Sequence, residues 1–112
     1  MANTFTNASA LLTGSLATVY TAGGSTQAVI HSVIIANIHA SNAVTVDVTL
    51  TQNSARPGGS ATVTYLIKGV DLPNKSTLIF DKPVNLAPSD VIQAVCSATS
   101  SAHITLSILE IT

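Results

Sequence analysis

Val44, Val46, Val48 and Leu50 alternate strictly with Thr45, Asp47, Thr49 and Thr51. Side chains leave a β-strand on opposite faces at every second residue, so this pattern predicts a strand with one row inward and the other toward solvent. A second strand is predicted from Ala61 to Lys68, with Val63, Tyr65 and Ile67 on one face and Thr62 and Thr64 on the other, behind a loop at Arg56-Pro57-Gly58-Gly59. Further strands are predicted at Leu16 to Thr21, Ala28 to His39, Ser76 to Asp81, Val91 to Ala98 and Ala102 to Ile111. Each is bounded by Gly, Pro, Asn, Asp or Ser. This makes seven strands, or eight with Asn3 to Asn7.

No amphipathic helical stretch interrupts the series. The expected fold is an all-β, antiparallel β-sandwich of seven to eight strands with jelly-roll-like wiring, a closed barrel being the structural alternative. Leu86-Ala87-Pro88-Ser89-Asp90 suits a tight corner between strands of opposite sheets. Residues 1–15, polar and short of apolar anchors, read as an extended N-terminal arm that orders against a partner, and residues 16–112 as a single sandwich domain. In Ala28 to His39, Ile30, Ile34, Ala36 and Ile38 fall on one face, and Val29, Val33 and Ile35 on the other with His31, Asn37 and His39. Ala102 to Ile111 repeats this, with Ile104, Leu106 and Ile108 opposite His103, Leu109 and Ile111. One face of a sandwich strand is core, so the second apolar row is expected under a loop, under the arm or against another subunit.

Composition sharpens this. Only 8% of the 112 residues are charged against 46% hydrophobic, and the formal net charge is -1. Arg56, Lys68, Lys75 and Lys82 are scattered, so direct nucleic-acid binding lacks its electrostatic basis. Low charge also removes the self-repulsion that keeps monomers apart, which favours assembly. The longest apolar stretch, Ala28 to Ile38, is too short to span a bilayer, and no basic-then-apolar leader opens the chain, so no membrane partner and a cytoplasm-like compartment are expected. Cys96 has no intrachain partner and reads as a small buried side chain.

The search for chemistry is negative. There is no Gly-x-Ser-x-Gly elbow, His-Glu-x-x-His, phosphate-binding loop or calcium loop, and Gly58-Gly59-Ser60 reads as a turn. Asp47, Asp71, Asp81, Asp90 and Glu110 lie on separate elements, poor material for an acid–base pair or a metal cage. His31 and His39 are eight residues apart, about 26 Å along a strand, too far to share a metal, and each of the three histidines reads first as a hydrogen-bonded strand residue. No catalytic set, cofactor or metal site is expected, and the chain is read as a binding protein and not an enzyme. A sugar-binding module would need aromatic platforms, yet the chain has no Trp and only Phe5, Tyr20, Tyr65 and Phe80, most of them at positions expected to face inward.

The opening Met1-Ala2-Asn3-Thr4-Phe5-Thr6-Asn7-Ala8, the segment Phe80-Asp81-Lys82-Pro83-Val84-Asn85-Leu86 and the ending Ile108-Leu109-Glu110-Ile111-Thr112 resemble small virion proteins of tailed bacteriophages, of the capsid decoration (cement) type. The resemblance implies a β-sandwich, often a homotrimer, on the outer capsid surface of the virion. Its partner would be the major capsid protein, after assembly in the host cytoplasm. Head-fibre, tail and carbohydrate- or receptor-binding sandwiches are the alternatives. Asn3, Thr4 and Phe5 are the candidate partner-binding residues, with Phe5 as an apolar anchor.

Overall fold

A computed structural model describes residues 3–52, 62–98 and 101–111. They form nine strands: β1 (Asn3–Leu12), β2 (Ala17–Thr21), β3 (Gln27–Asn37), β4 (Val44–Gln52), β5 (Thr62–Leu72), β6 (Thr77–Phe80), β7 (Val84–Leu86), β8 (Val91–Cys96) and β9 (Ala102–Ile111). The larger sheet has the order β1-β9-β3-β6, with β7 also paired to β3, and the smaller has β2-β8-β4-β5. All pairings are antiparallel. First pairs with last, second with second-last, third with β6 and β7, and fourth with fifth. This nesting is that of one long antiparallel ribbon rolled into two sheets, the jelly-roll-like sandwich expected.

The core lies between the sheets. Val44, Val46, Val48 and Leu50 of β4 are all buried, as the alternation requires, and they face Ile104, Leu106 and Ile108 of β9 in a cluster closed by Ile30, Ile35 and Ile92. Burying each such side chain contributes about 1.5–3 kcal/mol. Cys96 is part of this cluster, its thiol donating to the Ala98 carbonyl.

The two-faced reading of the third strand is corrected. The register of β3 against β9 shifts between Ile30 and Ser32. This bulge inserts one residue and reverses the alternation, so Ala28 and Ile30 before it and Val33, Ile35 and Asn37 after it share the core face. Val29, Ile34 and Ala36 point outward instead. A similar correction applies to β5, where shifts opposite Val48 and Asp47 put Ile67 in the core but leave Val63 and Tyr65 exposed on the outer face. At the second shift Gly69 takes a left-handed backbone (φ 59°) that other residues adopt only under strain, and its N–H donates to Asp47 Oδ1 at 2.6 Å.

The count of nine exceeds the expected seven to eight because β1 is a full strand and because Val84–Leu86 adds a short one. Residues 3–12, expected as an arm, pair with β9 of their own chain along all ten positions, Asn3 with Ile111 through Leu12 with Ala102. Only Leu12 of β1 is buried, however, and residues 3–7 are exposed on both faces. The loop expected at Arg56–Gly59 lies outside the described residues.

Three polar clasps hold the ends of the sandwich. Asn37, buried, donates to the carbonyls of Leu72 (2.9 Å) and Asn42 (3.0 Å) and accepts from His39 N–H (2.9 Å), tying β3 to β5 across the two sheets. The corner between β7 and β8 falls at Leu86–Asp90, as expected. Asp90 Oδ2 accepts from Ala87 N–H, and the Ser89 N–H and the Asp90 carbonyl bond the backbone of Ala22. Tyr20 of β2 donates its phenol to Glu110 Oε2 of β9 at 2.5 Å, joining the two sheets.

Replacing Asn37 with Ala would remove its donations to the Leu72 and Asn42 carbonyls, and a buried polar group that loses its partner costs about 1–3 kcal/mol. Urea denaturation of Asn37→Ala is expected to show a loss of about 3 kcal/mol. A second outcome concerns pH. Burial, then the hydrogen bond and negative charge of Glu110, hold the Tyr20 phenol above the usual tyrosine range. An unfolded phenol ionises near pH 10, so the pair's stabilisation is complete below about pH 10 and is lost as pH rises above it. The urea midpoint of the wild type should exceed that of Tyr20→Phe at pH 8, and the gap should shrink between about pH 10 and pH 12.

Candidate assembly surface

The outer face of the larger sheet is built by the residues that alternate with its core rows. The strand registers align Phe5, Leu109, Val29 and Asn85 across it, then Ser9, Thr105, Ile34 and Ile79, then Leu11, His103, Ala36 and Thr77. Among the described residues of this face there is no Asp, Glu, Lys or Arg. Phe5 (79% exposed) and Ile79 (62%) stand out of it, with Leu11 partly exposed. The second apolar row of β3 is therefore no second core: Val29 and Ile34 are the half-buried floor on which Phe5 and Ile79 stand.

Every candidate residue read from the sequence lies at the start of β1. Asn3 and Phe5 point to the outer face, while Thr4, opposite Glu110, is on the other side of the strand. The Phe5 ring sits 6.4 Å from that of His31, tilted by 31°. The exposed imidazole therefore widens the apolar surface that Phe5 begins. Ile79 and Leu11 were not singled out from the sequence, whereas Ile34 was placed in one of the two apolar rows of the third strand, whose direction only the bulge resolves.

The outer face of the smaller sheet differs. Thr18, Thr45 and Gln93 hold much of it, and Asp47 takes an ion pair from Lys68 at 3.6 Å. Lys68 Nζ also lies 4.5 Å over the Tyr65 ring, occupying its face with a cation of the same chain. Phe5 and Tyr65 are thus the two outward aromatics, on opposite sheets, while Tyr20 and Phe80 pack against the core. Two of the four aromatics, fewer than expected, look inward.

The histidines do not meet. His31 and His103 are exposed on the larger sheet at separate rows, and His39 lies beyond the end of β3, where its Nδ1 accepts from the N–H groups of Ser41 (3.1 Å) and Asn42 (3.0 Å). Two donors on Nδ1 place the proton of this imidazole on Nε2. Among the described residues no three His, Cys, Asp or Glu side chains gather as a metal site would need. The cleft between β7 and the end of β9, lined by Gln27, Val29, Asn85 and Asp90, holds one carboxylate, already bonded within its own turn.

No protein-family model matches the chain, and no curated protein matches it in sequence. Solved structures do share its fold. The chain superposes on a chain of the T13 viral particle of infectious bursal disease virus with a TM-score of 0.55 at 12% identity, over 96% of its own length and 30% of that chain's. It superposes on a chain of the acid-stable capsid of Helicobacter pylori bacteriophage KHP30 with a TM-score of 0.53 at 12% identity, over 98% of its own length and 87% of that chain's. A Bacillus endospore appendage protein, from a family forming disulfide-linked pili, matches with a TM-score of 0.50 at 12% identity, over 99% and 87%. The fold is therefore a β-sandwich of the kind seen in chains of viral capsids, where it is part of a longer chain in one and nearly the whole of a small chain in another.

Because Ile79 rests on the outside of a short edge strand, a charge there should be tolerated by the fold. Ile79→Lys is expected to change stability by no more than about 0.5 kcal/mol. It should also raise the ammonium sulfate concentration at which the protein precipitates. Equal salting-out of variant and wild type would show that this face does not govern association.

Proposed function

We propose that this chain is a non-enzymatic virion structural protein, a capsid decoration or cement protein that binds the outer surface of a phage head and stabilises the shell. The observation that carries the reading is the charge-free outer face of the larger sheet, which a solitary soluble protein has no use for. The likeness to a similarly small chain of a bacteriophage capsid supports it, since the match takes in almost the whole of both chains.

On this reading the partners are the major capsid protein and further copies of the chain. The face around Phe5, Val29, Leu109, Ile34 and Ile79 rests on the shell, with Phe5 as the apolar anchor and Asn3 bonding beside it, while Thr4 bonds from the other side of the strand. The Thr-rich, charge-bearing face of the smaller sheet stays in water. A protein that binds only the assembled shell lowers its free energy by mass action, and copies bridging neighbouring capsid subunits add through multivalency. No chemistry beyond apolar burial and neutral hydrogen bonding is required, in keeping with a surface whose ionic groups are confined elsewhere.

The test uses heads that lack the protein. Wild type added to such heads should appear as ordered density in electron microscopy, and the shells should survive a higher temperature. Phe5→Asp/Ile79→Lys, with an unchanged urea midpoint, should lose at least about tenfold in occupancy, as truncation of interface anchors does. A doubly substituted protein that decorates heads as the wild type does would remove this face from the reading, and a wild type that ignores heads would remove the reading itself.

A further inference from the structure

A two-sheet sandwich exposes four sheet edges, and an open edge offers a row of unpaired N–H and C=O groups to any other strand. Three of the four edges here are protected in recognisable ways. β2 is five residues long and its register shifts between Thr18 and Tyr20. β5 is bulged twice and carries Lys68 and Asp71. The edge opposite β1 is broken into β6 and β7, with Asp81-Lys82-Pro83 between them. Short strands, bulges, charges and proline are the devices that prevent edge pairing.

β1 has none of them. Its ten residues, Asn3–Leu12, contain no charge and no proline, and they pair with β9 without a single register shift. Among the described residues no strand covers the other side of β1. This unprotected edge also complements itself. In an antiparallel pairing of two copies about a two-fold axis at Ala8, Phe5 stands opposite Leu11 of the other copy, Asn7 opposite Ser9 and Thr4 opposite Leu12. Phe5 and Leu11 are both exposed and both on the outer face. The pairing therefore sets an aromatic against an aliphatic twice over, and two neutral polar pairs beside the axis, which are favourable cross-strand arrangements.

We propose that β1 is the self-association edge of this protein, pairing antiparallel with β1 of a second copy in the register that places Ala8 on the two-fold axis. The larger sheets of the two copies then form one continuous sheet, and their charge-free outer faces join into one surface. Such an interface is isologous, so it closes at two copies and is distinct from the trimer that the phage resemblance implies. It stands independently of capsid binding, because everything that drives it lies within the chain.

The experiment is done on the isolated full chain. Light scattering across the micromolar range should give twice the chain mass. Cys96 is buried and Ser9 is exposed on the outer face beside the axis, so a cysteine placed at Ser9 is the accessible thiol. Ser9→Cys treated with a short bismaleimide should run as a covalent dimer. Asn7→Lys/Ser9→Lys sets like charges opposite each other at the axis and should be monomeric with unchanged circular dichroism. Asn7→Lys/Ser9→Asp sets opposite charges there in the same register and should recover the dimer. A monomeric or trimeric wild type would overturn the proposal, as would a dimer that neither cross-links at position 9 nor responds to the lysine pair.

Discussion

The two-residue period of the β-strand is the constraint on which the rest of this molecule depends. Each strand must send alternate side chains to opposite faces, and with one face committed to the core the other is committed to whatever lies outside. A strand can change that commitment only by inserting a residue. The chain does so in β3 between Ile30 and Ser32, in β2 after Thr18 and twice in β5. The insertion in β3 lets a run of isoleucines and valines that would otherwise divide between two faces keep a continuous core row from Ala28 to Asn37. It also leaves Val29 and Ile34 on the outside, where they become the floor of an apolar surface.

That surface gives the sandwich two unlike outer faces. On the smaller sheet, threonines alternate with core valines, and the Asp47–Lys68 pair lies against Tyr65 and the Gly69 bulge. An exposed ion pair of this kind adds little stability, but it keeps the face hydrated. The outer face of the larger sheet carries Phe5, Leu109, Ile34 and Ile79 among Ser, Thr, Asn and His, with no formal charge among the described residues. Dehydrating such a face leaves no buried ion unpaired, so it can be covered at low electrostatic cost. The same reasoning separates the sheet edges, three guarded and one open. Face and open edge meet at β1, of which only Leu12 is buried, and this is where the capsid reading and the self-pairing converge.

The sandwich itself was legible in the chain because burial and alternation are local signals. The Val44–Leu50 row, the corner at Leu86–Asp90 and the buried Cys96 lie where residue type alone places them. Phe5 was legible as an exposed apolar residue, because a phenylalanine in a polar stretch has no core partners near it in sequence. The pairing of residues 3–12 with β9 was not legible. A strand of small, mostly exposed residues has little apolar alternation to announce it, and its partner is about a hundred positions away. Ile79 was hidden likewise, since one exposed isoleucine on a four-residue strand carries no pattern.

The sequence by itself determined the all-β class, the antiparallel sandwich, most of the strand positions and the scarcity of charge, because each follows from residue types and their spacing along the backbone. Only the tertiary structure decided which apolar row of β3 is core, that β1 completes the larger sheet, and that the uncharged residues of five strands come together on one face. Those outcomes turn on bulges and on long-range strand register. Both are settled by the packing of one sheet against the other and leave no trace in any short stretch of sequence.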